Sequence, residues 1–149
     1  MQLTLVHIGA RPQAKDPMEA QIAMYLKRCS AFAKAEAQDF RTEEAFLEWL
    51  SRQEGRTSPV AVLLDSRGKL MSSEEFAGWM GKQRDGGSQQ LIFAIGPASG
   101  WSKEALGKAR LTLSFGPMTM AHVLARLVLA EQLYRAFTIL TGHPYHGGH

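Results

Sequence analysis

The chain has 149 residues, 45% of them apolar, a single cysteine and a formal net charge of +3. That length suits one domain, the lone cysteine excludes an internal disulfide and a cysteine-based zinc site, and the mild basic excess permits a polyanionic partner such as RNA without requiring one. With no apolar run of about 18 residues and no basic-then-apolar leader, the expected location is cytoplasmic.

Residues 2–9 (QLTLVHIG) alternate and end on glycine, which predicts a strand. Residues 16–32 open with Asp16 at an N-cap, Pro17 at the first helical position and Glu19 at the third, and carry basic residues towards the end, which predicts a helix. Cys29 follows Lys27 and Arg28. Two cations would lower a thiol pKa, whereas a lone helical cysteine is more commonly inert packing. AEAQDF (35–40) is a weak strand, and TEEAFLEWLSRQEG (42–55) a helix with Phe46, Trp49 and Leu50 on one side and Gly55 as its stop. VAVLLD (60–65) and LIFAIG (91–96) are continuous apolar runs of strand length, as buried parallel strands require. Between them, residues 72–87 form a helix with the Ser72/Glu75 capping-box pattern and two terminal glycines. A short helix (102–109), a strand (110–116) and a long helix (121–142) closed by Gly142 and Pro144 complete the chain. A β-α alternation repeated five times predicts an α/β fold, a mostly parallel sheet with helices on both faces, as a single domain over residues 1–149.

The last helix is apolar nearly all round, with His122 and Arg126 on one stripe and Glu131, Arg135 and Thr138 on another. Such a helix is covered on both sides, either by a second copy of the chain or wholly within one fold.

Ligands of open α/β sheets sit at the carboxyl ends of the strands. Three glycine-bearing loops qualify: Leu63 to Lys69, Ala94 to Trp101 and Leu113 to His122. None carries a dinucleotide fingerprint, a triphosphate-binding loop or a nucleophile elbow, and Ser99 reads as turn chemistry. The third loop sets Phe115, Met118 and Met120 among Gly116, Pro117 and Thr119. This composition can wrap a flat apolar ligand, or plug the bottom of the core.

LSFGPMTMAHVLARLVLAEQLYRAFTILTGHPYH (113–146) resembles the C-terminal signature of the bacterial 23S rRNA (pseudouridine-N3) methyltransferase family of the SPOUT superfamily. LLDSRGK, IGPASGW and MYLKRC resemble the family's other motifs, and the likeness covers almost the whole chain. It implies a C-terminal trefoil knot, a homodimer, and transfer of a methyl group from S-adenosyl-L-methionine to N3 of a pseudouridine on the ribosome. It places cofactor contacts at Leu64, Gly96, Phe115, Gly116, Pro117, Met118, Thr119 and Met120. It also implies that Tyr145 and His146 close over the active site, and that Arg135 lies near RNA or cofactor. Arg126 is read similarly.

Methylation of an imide nitrogen needs its proton removed, so a base is expected. His122, Tyr145 and His146 are the candidates. A histidine at a helix start should have a lowered pKa, because the helix dipole disfavours its cation; His122 could equally cap the helix or pack beneath the loop. Arg135 could equally be an i,i+4 partner of Glu131. Trp101 and Lys103 could line the RNA side. The three tail histidines sit on a glycine-hinged, non-helical end, a poor metal site, so no metal is expected, and His149 reads as a frayed terminus. Pro97 stands where the family has a second glycine, Ala121 where it has proline, and Gly-Gly-His where it ends on a cation. Two further readings are another RNA target and a ribosome-binding module that has lost catalysis.

Overall fold

The computed structural model describes residues 1–53 and 57–148. Gly55 and His149, the expected helix stop and frayed terminus, lie outside the described residues. The elements are β1 (Gln2–Ile8), α1 (Pro17–Cys29), β2 (Lys34–Phe40), α2 (Glu43–Ser51), β3 (Val60–Leu70), α3 (Ser73–Asp85), β4 (Gln90–Ile95), α4 (Lys103–Lys108), β5 (Leu111–Ser114) and α5 (His122–Thr141). The strands form one sheet in the order β2-β1-β4-β3-β5, every pairing parallel.

Strand side chains alternate between faces, so the sheet feeds two cores. Leu3, Leu5, Val60, Val62, Leu91 and Phe93 meet α1, α3 and α5 on one face. Val6, Ile8, Ala61, Leu63, Ile92 and Ala94 meet α2 and α4 on the other. This is the predicted architecture, with helices on both sides. β2, whose side chains are mostly exposed, is an edge strand, which explains its weak apolar signal.

The helix starts follow their caps. Asp16 accepts from the Met18 amide at 2.9 Å, Thr42 and Ser102 cap α2 and α4, and Ser72 and Glu75 form the reciprocal capping box. Ser72→Ala should cost about 1 kcal/mol of stability, read as a lower urea midpoint. Gly142 ends α5 in the left-handed conformation at φ 73°. The first helix stops at Cys29, three residues before Phe32.

One expected loop is largely strand. β3 runs on through Leu70, in place of a turn at Leu63 to Lys69. Leu64 and Lys69 both align with Leu113 of β5, so residues 65–68 are extruded as a bulge within the ladder. Gly68 lies against β5: a Cβ there would stand 2.6 Å from the Thr112 carbonyl oxygen.

Candidate active site

The C-terminal ends of β3, β4 and β5 bring the three glycine-bearing segments together. Leu64, Gly96 and all of Phe115 to Met120 line one cavity of about 230 Å³, with Asp65, Ser66 and His122. A second cavity of about 290 Å³ shares Leu113, Phe115 and Met120 with it. Met118 is 83% exposed, whereas Phe115 of the same loop packs against the core, so the β5–α5 loop covers the core in part and presents the rest to the cavity. Its turn depends on Gly116, whose φ of +113° is a conformation that side chains resist. The Ser114 hydroxyl donates to the Ser66 carbonyl at 3.0 Å and accepts from the Gly116 amide at 2.9 Å, tying the bulge to the loop.

Gly96 is small for a steric reason. The Trp101 indole packs over it so closely that a Cβ would lie 2.6 Å from the ring. Trp101 is buried, touches Phe46 and donates its indole N–H to the Leu64 carbonyl at 2.9 Å. It therefore joins two walls of the cavity from behind and does not face RNA, contrary to expectation. Lys103 is exposed at the start of α4.

Asp65, which sequence reasoning left aside, stands on the same wall. The Arg67 guanidinium donates to it at 3.2 Å and holds the carboxyl below its usual pKa. His122 begins α5, where Ala121 provides no side-chain cap, so first-turn amides are left for solvent or an anionic group. The His122 pKa is lowered as expected, but the leading cause is burial, followed by His7, rather than the helix dipole. The two rings meet edge to face at 5.7 Å.

Arg135, Tyr145 and His146 form a separate cluster. Arg135 donates to Glu131 at 2.8 Å, lies 4.9 Å from the Tyr145 ring centroid, and reaches His146 Nδ1 at 3.0 Å. An arginine only donates, so Nδ1 accepts, and His146 Nε2 donates to Glu74 at 2.7 Å. Tyr145 donates to Glu131 at 3.2 Å, and its pKa is raised, first by burial and then by a hydrogen bond with Tyr25. The tail is not wholly non-helical: His146–Gly148 make a single 3-10 turn. Arg135 follows His122 by thirteen helical residues, about 20 Å along the axis. None of Arg135, Tyr145 and His146 lines the cavity that holds His122.

A family model described as "Predicted SPOUT methyltransferase" matches residues 1–146. This chain belongs to the SPOUT methyltransferase family. It is 52% identical over 149 residues, the full length of both chains, to a protein of Koribacter versatilis called "Ribosomal RNA large subunit methyltransferase H". A protein of the same name from Carboxydothermus hydrogenoformans is 39% identical, the match covering 98% of this chain and 99% of that one. Among solved structures, the SpoU methyltransferase AviRb from Streptomyces viridochromogenes in complex with AdoMet has a similar fold, at TM-score 0.50 and 14% identity. That match covers 89% of this chain and 56% of the other.

Set in this SPOUT fold, the remaining expectations divide. Arg126 is 3% exposed and pairs with Glu19 of α1, so its charge is spent inside the chain rather than displayed to a phosphate. Glu19, read as part of a helix start, is thus an interhelical partner. Cys29 is fully buried and desolvation pushes its thiol up to about 12, which reverses the lowering suggested by Lys27 and Arg28. It should resist thiol reagents at pH 8 until the protein unfolds, as a label-and-mass measurement would show. Among the described residues, no cluster of three or more histidine, cysteine or acidic side chains is arranged to hold a metal, and no helix is long and apolar enough to cross a membrane.

Proposed function

We propose that this chain transfers a methyl group from S-adenosyl-L-methionine to N3 of a pseudouridine in 23S rRNA, in the cytoplasm, as a homodimer of single domains spanning residues 1–149. The observation that carries the reading is the convergence of Leu64, Gly96 and Phe115 to Met120 on one cavity beside His122. The names of the full-length relatives support the rRNA substrate, and the AdoMet-bound SpoU neighbour supports the cofactor.

The cavity fits such a cofactor. Leu64, Phe115 and Met120 offer an apolar wall for a flat base, and the loop backbone and uncapped helix start offer polar partners. Asp65, held ionised, offers a counter-charge. S-adenosylmethionine supplies an electrophilic methyl carbon when bound there. The protein aligns the acceptor nitrogen with that carbon and removes its proton. His122, neutral because its pKa is lowered, would take the N3 proton and leave the nitrogen an electron pair for the methyl carbon, whose bond to sulfur would break with its pair kept by the departing neutral thioether.

The tail enters through the dimer. Arg135, Tyr145 and His146 lie too far along α5 to serve the same chain's cavity, whereas an antiparallel second copy can present them to it. The outer surface of α5, with Leu124 exposed and Leu127 and Val128 half-buried, supports that cover. A trefoil knot is proposed at the C-terminal end of the sheet, where the 65–68 bulge of β3 lies close against β5.

The test is methylation of ribosomes lacking the modification, followed by nucleoside mass spectrometry. N3-methylpseudouridine is the expected product. A methyl group elsewhere would mean another RNA target, and no cofactor binding by calorimetry at millimolar ligand would leave a ribosome-binding module. Mixing His122→Ala with His146→Ala protein should restore activity that neither has alone; failure to complement would reject the shared site.

A further inference from the structure

A third cavity, of about 280 Å³, adjoins the proposed cofactor site. His7, Asp16, Glu19 and Arg126 stand on its wall, and His122 lines both cavities. It opens at the end of β1, next to β4, where the strand order reverses; open α/β sheets place ligands at such points. Two of its side chains carry buried polar atoms that nothing in the chain satisfies. His7 is 6% exposed, its Nε2 donates to the Ala10 carbonyl at 2.9 Å, and its Nδ1 has no partner. Arg126 is 3% exposed, one terminal nitrogen is held by Glu19, and its Nε has no partner. Nε2 faces a carbonyl and therefore donates; in the tautomer that carries its proton there, Nδ1 is an acceptor, and Arg126 Nε–H is a donor. Native interiors rarely leave such groups unpaired, and a ligand that completes them is a recurrent reason.

We infer that this cavity receives the acceptor base, with His7 Nδ1 and Arg126 Nε reading the N1–H and adjacent C2 carbonyl of pseudouridine. This rests on the function proposed above and deepens it. Pseudouridine has an N–H donor where uridine has a carbon-bound hydrogen, so uridine would leave the His7 acceptor unpaired. A site built on such groups rejects the analogue lacking its partner. Water does not reach either atom in the free chain, so the 9–15 loop must yield as the base seats. The base then lies against His122, with its other edge towards the methyl donor.

The deciding variant is His7→Gln. The glutamine amide can still donate to the Ala10 carbonyl but supplies no acceptor at the Nδ1 position. Methyl transfer is measured on ribosomes carrying pseudouridine and on ribosomes carrying uridine at the target position. His7→Gln should lower kcat/KM on the pseudouridine substrate about tenfold or more, leave the Kd for S-adenosylmethionine unchanged, and shrink the preference over uridine. Equal loss on both substrates, or an unchanged preference, would overturn the inference. A catalysis-independent arm follows side-chain NMR signals of His7 and Arg126 as pseudouridine nucleoside is added at millimolar concentration. Shifts of the Arg126 signals in wild type that are absent in His7→Gln support the subsite even if no methyl transfer to ribosomes is found, which would reject the proposed function alone. No shifts, with active enzyme, would reject the subsite alone; no shifts and no transfer would reject both.

Discussion

Replacing His122 with alanine should lower methyl transfer to ribosomes by about 10²- to 10⁴-fold, the usual contribution of a positioned general base. Binding of S-adenosylmethionine should change little, because His122 is one of many side chains on the cavity wall. The effect should therefore sit in kcat, and an unchanged kcat would remove His122 from the chemistry. The pH profile tests the same point. Burial, and then the neighbouring His7, lower the His122 pKa from its ordinary 6.5. A base must be neutral, so activity should stay level above pH 6.5 and fall only as acid protonates the ring below that value. Stability follows the same sign. The unfolded chain binds this proton more readily, so the contribution present above pH 6.5 is lost as pH falls through the lower folded value. In His7→Gln the acid limb should move back towards 6.5, because one cause of the shift is gone.

Gly68→Ala should be among the most damaging single-methyl changes in the chain. The added Cβ would stand 2.6 Å from the Thr112 oxygen, 2.7 Å from its carbonyl carbon and 2.9 Å from the Leu113 carbonyl carbon. All three are backbone atoms, so no rotamer change relieves the overlap, and β3 and β5 must separate. Overpacking of this kind costs about 1–3 kcal/mol, with a backbone clash at the upper end. The same movement loosens the Ser114–Ser66 hydrogen bond, so cofactor affinity should fall with stability. Urea unfolding and calorimetry measure the two effects; a variant as stable and as tightly binding as wild type would mean that the approach of Gly68 to the β5 backbone is not close. Gly87→Ala is the contrast, since nothing lies within 4 Å of its Cβ position and its only penalty is a φ of +85°.

Much of the fold was legible because its signals are local. Asp16 and Ser72, the two caps read from sequence, act within three residues of themselves, as do Thr42 and Ser102 in the structure, and the strands of the buried sheet announce themselves by continuous apolar runs. The cavity was legible for a related reason: in a parallel sheet, loops after successive strands emerge at one edge, so the three glycine-bearing loops could be grouped before any contact was known, and the family resemblance singled out Leu64, Gly96 and Phe115 to Met120 within them. Cys29 shows the limit of such reasoning. Its sequence neighbours are cations, but its spatial neighbours are apolar, and a thiol responds to the second set. Trp101 shows it again, because an aromatic in a glycine-rich turn gave no sign that it would be folded inward over Gly96.

By itself, the order of residues determined the helix starts, the alternation that builds two cores on one sheet, and the kinship carried by residues 113–146. Those depend on forces acting over a few bonds or on simple periodicity. Tertiary structure alone decided that His7 faces His122, that Arg126 is spent on Glu19, that residues 65–68 bulge against Thr112, and that the tail gathers around Arg135 rather than His122. The first three join groups tens of residues apart, and the fourth brings His146 back to Arg135 across eleven residues and the end of a helix. Whether such groups meet depends on burial and the geometry of packed layers, which exist only once the chain has closed on itself.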